Sequence, residues 1–182
     1  MFIQTEQTPN PATLKFLPGV GVMPSGTANF TSREATSRSP LAERLFGLPE
    51  VSGVFLGGDF ITVTKTDDSD WFQVKPAVLA AIMEHFTTGQ PVITGAVDEP
   101  AANEGEDDEI VSAIKELLET RVRPAVAQDG GDIIFEEFSD GIVYLHMQGS
   151  CSGCPSSTAT LKAGIENMLR HYIPEVLEVR AV

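Results

Sequence analysis

Two cysteines, Cys151 and Cys154, stand two residues apart in Gly149-Ser150-Cys151-Ser152-Gly153-Cys154-Pro155-Ser156-Ser157, and the 182-residue chain has no others. A thiolate is both the nucleophile and the metal ligand of cysteine chemistry, so whatever lowers a thiol pKa prepares either use. Pro155 is favoured as a first helical residue, because its missing N–H would have no intrahelical partner there. The pair is therefore expected on a tight turn at the mouth of a helix, where unpaired amides and the helix dipole favour negative charge. Gly153 permits a positive φ, so both sulfurs can point one way. Two thiolates are half of what a metal centre usually needs.

A CxxC pair has several readings. Iron–sulfur clusters are commonly held by four thiolates, and one chain supplies two. A symmetric dimer in which each copy gives Cys151 and Cys154 to one shared cluster needs the fewest assumptions. The alternatives are a thioredoxin-like dithiol, a structural zinc site and an inert buried pair. Against the dithiol, the region from Glu109 onward reads as helix, hairpin, helix rather than as a βαβ frame. A closed zinc site needs four ligands, and beyond the cysteines only His85, His146 and His171 are available. His146 alternates with Ile142 and Tyr144 along a strand and reads as a sheet histidine. The polar Ser-Gly-rich surroundings fit an inert pair poorly.

The elements that position the pair follow from periodicity. Ile142 to Met147 alternates as a strand leading into it, and Leu161, Ile165, Met168, Leu169 and Tyr172 fall on one helix face after it. Upstream, Asp132 to Phe138 pairs with Ile142 to Met147 through Asp140-Gly141, a strong hairpin signal. Ile110, Ile114, Leu117, Leu118 and Val122 form one helix face whose end Pro124 disturbs. Val176 to Val179 reads as a last edge strand. The fold class is α+β: residues 109–182 form a small cluster-binding domain, 98–108 an acidic linker and 1–97 a second small α+β domain. In the latter, Thr13 to Leu17, Val51 to Leu56 and Phe60 to Thr64 read as strands and Ala28 to Thr31 as a short one. Ser39-Pro40 opens a short helix, and Asp70 caps a longer one that Pro76 kinks or restarts and Gly89 ends. Trp71 reads as a core or domain-edge anchor and His85 as a surface or capping residue; Asp67, Asp68 and Asp70 read as a solvated turn.

Net charge is −14, of which −7 sits in residues 98–109, a stretch with no basic residue. Such a segment is expected to be a self-repelling tether. Nucleic acid is excluded as an expected partner, since phosphate binding needs a basic patch. The longest apolar run, Ala77 to Met83, is far short of the roughly 20 residues that span a bilayer, so no membrane is expected. The start of the chain has no basic stretch followed by an apolar one, as a secretory signal would, and two cysteines suit a reducing compartment. A cytoplasmic protein of bacterial type is expected, or a mitochondrial matrix protein if this is a eukaryotic mature form.

Several motifs together resemble a known family. Arg123-Pro124, Asp129-Gly130-Gly131-Asp132-Ile133, the cysteine stretch and Thr160-Leu161-Lys162 resemble the C-terminal domain of NifU. Gln7-Thr8-Pro9-Asn10-Pro11, Leu14-Lys15-Phe16, Ser39-Pro40-Leu41-Ala42 and Phe60 to Lys65 resemble the N-terminal domain of Nfu-type iron–sulfur cluster scaffold and carrier proteins. The resemblance implies a non-enzymatic carrier with a [4Fe-4S] cluster, or alternatively [2Fe-2S], ligated by Cys151 and Cys154 of two subunits. It implies an upstream cluster donor and apo-proteins as recipients, with the N-terminal domain helping recognition or delivery.

Overall fold

The computed structural model describes residues 2–8, 10–24, 26–94, 109–150 and 155–182. Two compact units divide the chain, Met1–Glu99 and Pro100–Val182. The expected linker, 98–108, lies outside the described residues.

The first unit is a five-stranded antiparallel sheet of β1 (Gln4–Gln7), β2 (Thr13–Leu17), β3 (Ala28–Phe30), β4 (Val51–Leu56) and β5 (Ile61–Lys65), in the order β1-β2-β5-β4-β3. Period-2 alternation builds its core. Leu14 faces Val63, which faces Val54, which faces Phe30; Phe16, Ile61, Leu56 and Ala28 form the adjacent row. These rows pack against α1 (Pro40–Phe46) through Leu41 and Leu45, and against α2 (Trp71–Thr88) through Val74, Val78 and Ile82. The β4–β5 hairpin requires Gly57, since a Cβ there would lie 2.3 Å from the Phe60 ring. Ser39 caps α1, its Oγ accepting from the Ala42 N–H and donating to the Val92 carbonyl. Asp70 caps α2 by accepting from the Phe72 N–H, and Gly89 ends it at φ 69°. The Trp71 indole donates to the Pro11 carbonyl and its ring packs on Phe16, anchoring the helix start to the sheet.

Three expectations change in this unit. β1 is a strand that alternation did not announce, because at a sheet edge its Gln, Thr, Glu and Gln side chains face mostly solvent. Pro76 sits inside α2 without a restart: the element is one 18-residue helix. His85 is not a surface residue. It is fully buried, edge-on to Phe86, with neither ring nitrogen hydrogen-bonded.

Burial, seconded by the Arg44 guanidinium on α1, lowers the His85 pKa below its ordinary 6.5. Arg44 is itself paired with Glu84 at 3.1 Å. As pH falls through about 6.5 the unfolded chain takes up a proton that the folded chain does not. The first unit is therefore expected to lose stability between pH 7 and 5. Urea midpoints measured across that range should fall more steeply for the native chain than for His85→Leu; equal slopes would remove His85 from the acid response.

The second unit is a three-stranded sheet, β6 (Gly131–Ser139), β7 (Ile142–Gly149) and β8 (Glu178–Ala181) in the order β6-β7-β8, covered on one face by helices. Asp140 and Gly141 at φ 52° and 79° make the expected tight hairpin turn. Val143, Leu145 and Met147 point inward to Ile114, Leu118, Ile165 and Leu169. Ile142, Tyr144 and His146 take the opposite face, and His146 Nδ1 lies 3.1 Å from the Val182 carbonyl oxygen, as a sheet histidine should.

The helix expected over 110–122 is three pieces: α3 (Glu109–Leu117), a wide helical turn over Leu118–Val122 and α4 (Arg123–Gln128). Pro124, at the start of α4, has no N–H for a continuous ladder, and the extra residue in the wide turn accommodates it. The last edge strand is present but shifted to Glu178–Ala181, and it pairs parallel to β7. Helix α5 (Pro155–Tyr172) has 18 residues, about 27 Å of rise. That is long enough to return the chain to the start of β7, where Ile142 faces Glu178. The expected absence of a βαβ frame is thus corrected: β7-α5-β8 is one. No helix among the described residues is long and apolar enough to cross a membrane.

Candidate metal centre

The strand that leads to Cys151 is held at its end by a chain of specific contacts. Gly131 of β6 faces Gly149 of β7, and one residue beyond the ladder the Ser150 N–H donates to the Gly130 carbonyl at 3.2 Å. The Ser150 hydroxyl donates to the Asp129 carbonyl, and Ser150 is 1% exposed. Gly130 and Gly149 both have positive φ, 80° and 65°, a region open to Gly without strain. The Gly130 N–H donates to the Ala127 carbonyl, so the same turn that clasps Ser150 also closes α4.

A second tie fixes that turn from its other side. Arg123, the first residue of α4, forms two parallel bonds with the Asp132 carboxylate of β6, Nε to Oδ1 and Nη2 to Oδ2, each 2.8 Å. Asp132 is 3% exposed, and its Oδ1 also accepts from the Ile133 N–H. Glu119 adds a solvent-side contact to Arg123 at 3.0 Å. Hydrogen bonding to Asp132, reinforced by its charge, raises the Arg123 pKa above its ordinary value despite partial burial. Bidentate geometry makes this the strong form of ion pair. Helix α4 is thereby tied to β6 at both ends, and β6 to the last described residue before Cys151.

On the far side, α5 begins at Pro155, directly after Cys154 in the chain. It is fixed by buried Ile165 and Leu169, and by Glu166, whose Oε2 accepts from the Val179 N–H of β8 at 3.1 Å. Four residues thus separate a braced strand end from the start of an anchored helix. Cys151 and Cys154 are two of those four and lie outside the described residues, as does the expected turn with both sulfurs on one side. Among the described residues no group of three or more His, Cys, Asp and Glu could hold a metal ion. The reading from periodicity alone missed Ser150, Asp129 and the Arg123–Asp132 pair as supports, although all four residues lie in the motifs of the resemblance. A lone Ser carries no periodic signal, and an ion pair nine residues apart closes only once α4 folds against β6.

Residues 3–89 match the family described as scaffold protein Nfu/NifU N terminal, and residues 114–180 the NifU-like domain. Aligned over the whole chain, the human protein named NFU1 iron-sulfur cluster scaffold homolog, mitochondrial, is 53% identical, with 72% of its own length covered. This chain belongs to the Nfu family. The Drosophila virilis protein of the same name is 54% identical, and the chain spans 62% of it. A NifU-like protein from Saccharomyces cerevisiae, solved by NMR, is 26% identical with a TM-score of 0.48, over 53% of this chain and 87% of that one. The Nfu identification agrees with the two α+β units described above, each family match falling within one of them.

Proposed function

We propose that this protein is an iron–sulfur cluster scaffold or carrier. Two copies hold one [4Fe-4S] cluster through Cys151 and Cys154 of each, and pass it to apo-proteins. The observation that supports this reading is where the pair falls along the chain. It lies between a strand end clasped at Ser150 and the N-terminus of α5, inside the NifU-like match of a chain whose relatives are named cluster scaffolds. Two ligands per copy make the cluster transferable, since incoming thiolates can replace the protein's one at a time. The cluster is cargo, and no substrate is turned over. The mitochondrial names of the relatives support the matrix alternative for a eukaryotic form. The acidic 98–108 segment, acting as a tether, would raise the local concentration of a recipient held by the first domain.

The thioredoxin-like dithiol remains the second reading, because β7-α5-β8 supplies the βαβ frame that reading wants. Anaerobic reconstitution separates the two. About two iron and two sulfide per chain in a dimer are expected for a shared [4Fe-4S], and about one of each for [2Fe-2S]. An iron-free monomer that reduces disulfides would establish the dithiol instead. A cluster-loaded single chain with no external thiol would overturn the shared-cluster reading.

A further inference from the structure

Strand β1 has a neighbour only on its β2 side, which leaves its outer backbone edge unpaired by any described strand. Natural sheets usually guard such an edge with proline, a bulge or a charge. Here the register with β2 is unbroken, there is no proline, and the one charge, Glu6, is drawn 3.3 Å onto Lys15. Brevity is the edge's only other protection.

Both faces of the sheet are hollowed along this edge. Gln4 and Glu6 share a face with their partners Leu17 and Lys15; Thr5 and Gln7 share the helix-side face with Phe16 and Leu14. On the first face a concavity of about 580 Å³ is lined by Phe2, Gln4, Leu17, Val20 and Asp59. On the helix side one of about 380 Å³ is lined by Leu14, Trp71, Phe72 and Lys75, with Thr5, Glu6 and Gln7 at its rim. Phe72 and Phe2, at 88% and 80% exposure, are the most exposed large apolar side chains among the described residues, and each lines one of the two hollows.

We propose that the outer edge of β1 binds an extended segment of a partner protein in which apolar and basic residues alternate, adding a sixth strand to the sheet. Main-chain bonds to β1 supply affinity, and alternate side chains enter the two hollows. The charges assign the faces. Lys75 on the helix side turns basic residues away and leaves Trp71 and Phe72 to apolar ones. Glu6 is engaged by Lys15, so Asp59 on the first face receives the basic ends, whose aliphatic stems lie over Phe2, Leu17 and Val20. The chain's own acidic stretch meets like charge there. A second copy fits less well: directly opposed side chains share a face, so two-fold antiparallel pairing centres on Thr5 or on Glu6. Centring on Glu6 opposes two carboxylates, and neither register brings a basic residue of β1 to Asp59. The inference goes beyond the cluster reading, since it uses only residues of the first unit.

The test uses the full chain and the acetylated, amidated peptide Val-Lys-Val-Lys-Val-Lys-Val, followed through the emission of Trp71, the single tryptophan, and the backbone amide shifts of Gln4 to Gln7. Saturable binding at β1 is expected. Phe72→Ser, at a side chain too exposed to affect folding, and Asp59→Lys should each weaken it about tenfold. A glutamate-for-lysine peptide should not bind, and N-methylation of alternate peptide amides should abolish binding. Equal binding of the glutamate or N-methyl peptide, shifts confined elsewhere, or no binding up to about millimolar peptide, the weak limit for a specific contact, would overturn the proposal. So would self-association through β1 without peptide binding, which would assign the edge to a second copy.

Discussion

Chains carrying Cys151→Ser or Cys154→Ser are expected to retain no cluster after reconstitution, iron falling from about two per chain to background. In the proposed shared site each substitution would remove two of four ligands, because the partner copy would lose its equivalent residue as well. Oxygen of a serine hydroxyl is a poor replacement for a soft thiolate around iron. Both units should stay folded, since their cores are built from residues elsewhere. Circular dichroism and calorimetry should therefore superimpose on the native chain while absorbance, iron and sulfide do not. A Cys154→Ser chain that held a full cluster would remove Cys154 from the ligand set and with it the two-per-copy arrangement.

Arg123→Ala should cause the largest loss of stability outside the hydrophobic core. It leaves the buried Asp132 carboxylate without the guanidinium that holds both of its oxygens. Breaking a buried pair from one side costs about 3–5 kcal/mol. The Arg123 side chain is 33% exposed, so solvent screening brings the expected loss to about 2–3 kcal/mol. For a unit of this size that lowers the melting temperature by roughly 10–20 °C. Asp132→Asn should cost less, because it leaves Arg123 with Glu119 and with water. Arg123→Lys keeps the charge but loses the planar fork, and should fall between native and alanine. Cluster retention should decline with the same ranking, since the brace lies behind the strand end that enters the cysteine stretch. A double-mutant cycle on Arg123 and Asp132 isolates the pair; a coupling within about 0.5 kcal/mol of zero, the spread seen for independent sites, would mean that the brace does not hold the turn.

Much of the second unit was legible because local chemistry and global packing agree there. Asp140-Gly141 is nearly sufficient to make the hairpin, as only such residues accept two successive positive φ values. Alternation through Ile142 to Met147 assigned the faces of β7, including the outward His146. Pattern failed where the cause was non-local. The wide turn before Arg123 looks apolar-periodic from either side; Pro124 interrupts the ladder, and the Arg123–Asp132 tie then fixes α4 against β6. His85 carries no sequence mark of burial: its position in the last turns of α2 argues for capping, and it is buried beside Arg44 of α1 and the Gln90 and Pro91 backbone. β1 escaped notice for the opposite reason, since an edge strand need bury nothing to be held by the ladder of its neighbour.

The amino-acid sequence by itself determined which reactive groups are present. It contains two thiols at a spacing that lets them act together, a proline that starts the following helix, and no further cysteine to complete a four-thiolate set within one copy. Those facts depend on residue identity and on separations of a few bonds, which no folding can alter. The tertiary structure alone decided how the approach to the thiols is supported. Ser150 clasps a turn 20 residues upstream, Arg123 crosses from helix to strand, and a parallel edge strand closes behind α5. Each is a contact between distant parts of the chain, and such contacts exist only when burial of the shared core brings their partners within hydrogen-bonding distance.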